Sequence, residues 1–344
     1  MEDLREFLRL LEEKGDILRV KETLEPRFEI AAFLRVLLEN GNSAAAFFES
    51  VKGYQVPVVG NVLGTKKRLA YAFGVEEEEV GDTYLERRER PIEPEILADG
   101  PVKEMQILRD PDILEQIPVL THHKRDAGPY FTCSTVVARD PDTGMRGMGI
   151  HRMQVKDKNR IGIFLATPPL SHFLANAERL NKPLEIAIVN GADPLTFFSS
   201  VVWAPHGTDK FAVAGGLAGS PVQLIKCETV DLEVPARAEY ILEGHIIPGE
   251  RETEGPFGES TGYYLKYENP VCLIAGITRR KDPLYHALLP FSAEEGVLLD
   301  FSWEMDHLAV TKKVFPFVRK VHLTALGMVM VVQIKKGEEG DGRR

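Results

Sequence analysis

The stretch Glu252-Thr253-Glu254-Gly255-Pro256-Phe257-Gly258-Glu259, followed by Ser260-Thr261-Gly262-Tyr263-Tyr264, gathers three carboxylates into a segment stiffened by proline and hinged by glycine. Most acidic runs are solvated surface, and that plain reading applies here as well. Phe257 and the Tyr263-Tyr264 pair weigh against it, because apolar walls beside a carboxyl group raise its pKa and turn it into a proton donor near neutral pH. A second stretch, Gly149-Ile150-His151-Arg152-Met153-Gln154-Val155, alternates an arginine with apolar residues as a strand does. A buried guanidinium needs an anion. Either a protein glutamate in a structural ion pair or the carboxylate or phosphate of a ligand fits its planar fork, and periodicity alone leaves both open.

Other candidate motifs carry less. The run Gly144 to Gly149 looks like a phosphate loop, but a dinucleotide fingerprint needs a strand before it and a helix after it. This run is expected in a hairpin between two strands. Gly215-Gly216-Leu217-Ala218-Gly219 lacks the Lys-Ser/Thr of a P-loop and reads as a helix end where backbones pack closely. Side chains of His122 and His123, being adjacent, diverge, and no carboxylate or thiol recurs at zinc-site spacing, so they are expected as solvated loop histidines. Ser199-Ser200 has no nearby base and no nucleophile elbow.

The elements that must carry these residues follow from periodicity. Leu4, Phe7, Leu8 and Leu11 predict a helix over residues 3–14 closed by Gly15, and a second helix spans about 29–39. Strand-like runs follow at 44–51 and 56–62, then a polar helix from Glu76 to about Arg90. Pro91, Pro94 and Pro101 mark a boundary that few contacts should cross. From Tyr130 the period becomes two, giving an antiparallel meander over 131–139, 145–155 and 161–166. A helix near 170–180, a strand at 184–189, a helix after Pro194, and strands near 222–227, 240–247 and 271–278 come next. Between the last two, residues 248–261 are expected as a long functional loop. A helix near 294–310, a strand pattern at 321–333 and a frayed tail from Lys335 end the chain.

Composition bounds the partners. A net charge of −10 with only short, interrupted basic runs disfavours nucleic acid. No apolar h-region opens the chain and no stretch is long enough to span a membrane, so a cytoplasmic protein is expected. Cys133, Cys227 and Cys272 are odd in number and widely spaced, as buried thiols in a reducing compartment are. Scarce Asn and Gln beside plentiful Glu, Lys and Arg would suit growth at high temperature.

Together these segments resemble the UbiD family of reversible decarboxylases. The likeness runs from Asp3-Leu4-Arg5-Glu6-Phe7-Leu8 through Phe48 to Tyr54, Gly60 to Thr65, Asp140 to Gly144, Gly149 to Arg152, Cys227 to Ala236 and Glu254 to Glu259. The resemblance implies an α+β fold in three parts. These are an N-terminal α/β domain over 1–95, a flavin-binding split β-barrel over 96–292, and, over 293–344, a linker helix with the start of a truncated C-terminal dimerisation domain. It also implies prenylated FMN, supplied by a separate flavin prenyltransferase, as the group that carries the chemistry. By position Arg152 would hold the substrate carboxylate and tune the cofactor, Glu254 would pair with Arg152, and Glu259 would donate the proton. Ile150, His151, Phe164, Leu165 and Ala166 would line the flavin.

The family further implies manganese or magnesium, and potassium, at the flavin phosphate. Here the sequence departs: the expected asparagine falls on Gly147 and the glutamate on Asp209, with His172 as the remaining ligand. Lys210 or Lys336 would supply countercharge. The resemblance leaves two substrate classes, a phosphorylated acid of isoprenoid biosynthesis such as trans-anhydromevalonate phosphate and a polyprenylated hydroxybenzoate. It also leaves a non-catalytic flavin-binding subunit, which the intact Arg152, Glu254 and Glu259 oppose. A homo-oligomer is expected.

Overall fold

The protein is described by a computed structural model covering residues 1–205, 207–259, 261–324 and 329–337. Asp3 caps α1 (Leu4–Glu13), its carboxylate accepting the Glu6 N–H at 2.8 Å, and the four apolar residues of the predicted stripe are buried. Gly15, at φ +65°, turns the chain out of the helix, as glycine just past a helix end does. The chain then forms β1 (Ile17–Leu24), crosses through α2 (Glu29–Glu39) and returns as β2 (Ala45–Val51), parallel to β1, before β3 (Val58–Gly60). The sequence pattern missed β1, because only Val20 in it is buried and its apolar residues, Ile17, Leu18, Val20 and Leu24, follow no strict alternation. It also missed α3 (Lys66–Phe73), capped by Thr65 and ended by Gly74; α4 (Val80–Arg88) follows, starting later than expected.

The central part runs through β4 (Glu95–Leu97), β5 (Met105–Ile107), α5 (Ile113–Gln116), β6 (Tyr130–Phe131), β7 (Ser134–Arg139), β8 (Arg146–Ile150), β9 (Met153–Asp157) and β10 (Arg160–Ile163). It continues with α6 (Leu170–Arg179), β11 (Leu184–Asn190), α7 (Pro194–Ser199), α8 (Lys210–Ala218), β12 (Gln223–Lys226), β13 (Glu233–Pro235), β14 (Tyr240–Gly258) and β15 (Tyr264–Arg279). Then come β16 (Tyr285–Ala287), α9 (Ala293–Val314), β17 (Val318–Thr324) and β18 (Val329–Ile334).

The principal sheet has the order β6-β9-β10-β15-β14-β11-β7-β8, with β5 beside β15. This order forces a closed shape. β8 is one edge, yet β9 starts after only His151 and Arg152 and lies next to the other edge; likewise β6 is the far edge and leads through Thr132 and Cys133 into β7. Three residue steps reach at most roughly 11 Å. The sheet must therefore curl until its edges face each other across a gap that the chain bridges twice, a split barrel. The expected single strand over 145–155 is accordingly two strands on opposite sides of that gap.

The expected loop over 248–261 is a second correction. Residues up to Gly258 continue β14, paired antiparallel with β15, and register shifts between Ile246 and Arg251 and between Glu254 and Phe257 absorb the prolines and glycines. Bulges of this kind let such residues sit in a ladder that they would otherwise break. The proline-marked boundary is also crossed more than expected: β16 extends the N-terminal sheet by pairing with β3, β4 pairs with β12, and Arg5 holds the buried Glu239 through two hydrogen bonds of 2.8 Å. Asn190 ties the same layers together, its amide bonding to Cys133 O, Ser134 Oγ and His286 O and accepting from the His286 N–H.

The glycine run in α8 is a close-packed helix end, as expected: a Cβ at Gly215 would meet Ile92 O at 2.5 Å, and one at Gly216 would meet Arg90 O at 2.6 Å. Cys133 and Cys272 are buried and Cys227 is half-buried, all three as free thiols. Among the described residues no helix is long and apolar enough to cross a membrane. Of the tail expected from Lys335, residues 338–344 lie outside the described residues.

Candidate active site

Arg152 sits in the gap of the barrel, between the end of β8 and the start of β9. Its guanidinium forks onto Glu254 of β14, Nε to Oε1 at 3.1 Å and Nη2 to Oε2 at 2.8 Å, and Asn269 of β15 donates to Oε2 at 2.9 Å. Glu254 is fully buried and Arg152 nearly so. The third arm of the fork, Nη1, faces the Glu259 carboxylate, which is one-fifth exposed. The three residues singled out in the sequence thus converge, Arg152 and Glu254 across the sheet and Glu259 from the turn beyond β14.

Aromatic rings surround the guanidinium: Phe164 with its centroid at 4.4 Å, Phe257 at 5.4 Å and Tyr267 at 5.6 Å, with Phe164 and Tyr267 stacked on each other. Such faces attract a cation and exclude water. The backbone that delivers Glu254 and Glu259 is pinned on both sides. Gly255, at φ +99°, donates to Gln154 Oε1, and a Cβ there would lie 2.6 Å from Leu265 O. The buried Asp126 carboxylate accepts from Gly258 N at 3.0 Å and from His123 N at 2.8 Å. Asn269, Asp126 and Tyr267 were not singled out in the sequence; each is an ordinary polar or aromatic residue whose role arises only from its partner across the fold.

The expectation of solvated histidines fails at His122. It is buried beneath Phe257, its Nε2 lies 3.4 Å from Thr132 Oγ1, and Thr132 in turn donates to Leu288 O at 2.6 Å. His123 is partly exposed beside Asp126. His151 is buried too, its Nδ1 donating to Phe164 O at 2.9 Å, so Nε2 is left as the acceptor. Burial pushes both His122 and His151 down to about 4 from an ordinary 6.5. With folded values below the unfolded ones, the unfolded chain binds more protons between about pH 6.5 and 4, so these histidines leave stability intact above that window and reduce it on acidification. Urea unfolding is expected to lose up to about 1.4 kcal/mol per pH unit for each histidine inside the window. An unfolding midpoint that stays flat from pH 7 to pH 4.5 would contradict this.

Two connected cavities open beside this cluster. The smaller, about 250 Å³, is lined by Ile150, His151, Arg152, Phe164, Ala166, Glu259 and Thr132, and by Leu298 and Leu299 of α9. The larger, about 740 Å³, shares Ile150, Thr167, Val201 and Leu299 with it and adds Gly147, His172 and Lys210. Volumes and a mainly apolar lining of this kind suit a cofactor with a planar ring and a polar tail. Of the residues expected to line a flavin, Ile150, His151, Arg152, Phe164 and Ala166 face the cavity. Leu165 does not: in the segment just past β10 its side chain packs into the hydrophobic core. Lys336 is exposed beyond β18 and lines neither cavity.

The expected metal set is not assembled. Asp209 caps α8 by accepting from the Phe211 N–H at 2.9 Å and is bound by Arg146 Nε at 3.1 Å, so both its oxygens are engaged. It lines a shallower surface pocket that adjoins the large cavity at Met145, Arg146 and Gly207, whereas His172 lines the large cavity itself. A Cβ at Gly147 would come within 2.7 Å of Phe173 and Pro169, so no ligating side chain would fit there without displacing them. Among the described residues no group of three or more His, Cys, Asp or Glu side chains is placed to hold a metal ion.

Comparison with known proteins places this geometry. The family model of the 3-octaprenyl-4-hydroxybenzoate carboxy-lyase Rift-related domain, UbiD, matches residues 95–293, and that of the carboxy-lyase N-terminal domain, UbiD_N, matches residues 8–88. The chain belongs to the UbiD family. As a UbiD protein it is a carboxy-lyase, and its N-terminal α/β layer and half-barrel are those of UbiD-class structures. The anhydromevalonate phosphate decarboxylase of Methanothermobacter thermautotrophicus is 34% identical over 350 residues, covering 99% of this chain and 79% of that protein. An evolved dimeric form of the UbiD-class enzyme HmfF from Pelotomaculum thermopropionicum, in complex with prFMN, superposes with a TM-score of 0.95 at 39% identity, covering 100% of this chain and 81% of that one. Vanillic acid decarboxylase from Sedimentibacter hydroxybenzoicus superposes at 0.92 with 32% identity, covering 100% of this chain and 76% of its own.

Proposed function

We propose that this UbiD protein catalyses the prenyl-FMN-dependent, non-oxidative decarboxylation of a small α,β-unsaturated or aromatic carboxylic acid. One observation carries the reading: Arg152, Glu254 and Glu259 meet at the wall of a cavity that is large enough, with its neighbour, for a flavin. Bound prenyl-FMN supplies an electron sink for the carbon that loses carbon dioxide. The protein's part is binding and proton transfer. Glu254 holds the guanidinium rigid, leaving Nη1 to receive the substrate carboxylate in place of Glu259. Displaced from its cation and set beside a second anion, Glu259 takes up a proton. It delivers that proton to the substrate carbon once carbon dioxide has departed, and is recharged from solvent through its exposed side. Phe164, Phe257 and Tyr267 keep water from the guanidinium meanwhile.

The 250 Å³ chamber, walled on one side by Leu288, Pro290, Leu298 and Leu299, favours a small acid over a polyprenyl-substituted one. The named relative from Methanothermobacter thermautotrophicus supports trans-anhydromevalonate phosphate within that class. A flavin prenyltransferase would supply the cofactor, and a homo-oligomeric enzyme accords with the dimeric HmfF form. The test is to co-express the chain with a flavin prenyltransferase, record the absorption spectrum, and follow carbon dioxide release from trans-anhydromevalonate phosphate, vanillic acid and 3,4-dihydroxybenzoic acid. Release from at least one acid by a protein with a flavin spectrum is expected; a colourless protein inert to all three would defeat the proposal.

A further inference from the structure

We infer that this chain holds the phosphate of its flavin directly, with Lys210, where a divalent cation would otherwise bridge protein and phosphate. The inference rests on the flavin reading above and goes beyond it by naming the countercharge. A phosphate in a largely apolar cavity must be met by cations or by a metal with several oxygen or nitrogen ligands. The large cavity offers two basic side chains, Arg146 and Lys210. Arg146 is already neutralised twice, by Asp209 and by Glu233 at 2.8 Å.

Lys210 is different. It is the first residue of α8, its Nζ donates to Ser200 O at 2.8 Å, and among the described residues it has no carboxylate partner. Even partial burial without a counterion is costly for an ammonium, and Lys210 is half-buried. An anion in the cavity relieves that cost. Two of the ammonium's three donors remain for phosphate oxygens, since Ser200 O uses one. The metal alternative lacks ligands: the position of Gly147 is filled by Phe173 and Pro169, Asp209 is spent on Arg146 and on its helix cap, and only His172 faces the cavity.

The test uses FMN and riboflavin, which share the ring and differ in the phosphate. The purified chain, Lys210→Met and Lys210→Arg are titrated with each flavin by fluorescence, in buffer with EDTA and again with added Mn²⁺. The wild-type chain is expected to prefer FMN over riboflavin by about ten-fold or more, as one charge-assisted hydrogen bond to a phosphate provides, with EDTA and Mn²⁺ making no difference. Lys210→Met is expected to abolish the preference while riboflavin still binds, and Lys210→Arg to retain it. A preference that survives in Lys210→Met, or that disappears with EDTA and returns with Mn²⁺, would overturn the assignment. If Lys210→Met binds neither flavin, the arginine variant and the EDTA arm decide. If the wild-type chain binds neither, the flavin reading itself falls, and this assignment with it.

Discussion

Glu259→Gln is expected to slow carbon dioxide release by about 10²- to 10⁴-fold, the usual contribution of a positioned general acid. Glutamine keeps the size of the side chain and an oxygen for Arg152, and Asp126 still clamps the preceding Gly258, so the loop and the flavin spectrum should be preserved. What is lost is the transferable proton. The measurement is turnover at saturating substrate on protein whose absorption spectrum matches wild type. Turnover within error of wild type would remove Glu259 as the donor, whereas a rise in KM with kcat unchanged would point to binding instead.

Arg152→Met should act on both activity and stability. Glu254 is fully buried and would keep only neutral partners, the Asn269 amide and the Tyr130 hydroxyl, and breaking a buried ion pair from one side costs about 3–5 kcal/mol. The urea midpoint should fall accordingly, with an unchanged slope. Decarboxylation should be lost as well, since no other guanidinium lines the smaller cavity among the described residues. The double variant Arg152→Met/Glu254→Gln removes the stranded charge and should recover much of the stability without recovering turnover. If the double variant is no more stable than the single one, the pair is not coupled as its geometry requires.

The convergent cluster was legible in the sequence because its parts lie in two short stretches whose local chemistry is unusual: an arginine among apolar residues, and acids beside aromatic rings. The shape of the loop that carries the acids was not. Whether residues 248–258 form a loop or a bulged strand depends on pairing with β15, and local periodicity holds no record of a partner strand. His122 was misread for a similar reason, since Phe257, which covers it, arrives from a distant hairpin. Leu165 was placed on the cavity by analogy, although its side chain packs into the hydrophobic core. Asp209 read as a candidate metal ligand because a carboxylate that caps a helix and binds an arginine looks, in sequence, the same as one free to coordinate.

The twice-bridged gap between β6 and β8 has a thermodynamic corollary. Along it the backbones of facing strands do not pair, so a cylinder that might have been sealed by a ladder of amides is left to be completed by whatever occupies its mouth. A ligand lodged there would add its affinity to the cohesion of the whole scaffold by mass action. Catalytic occupancy and architectural closure are then one equilibrium seen from two sides.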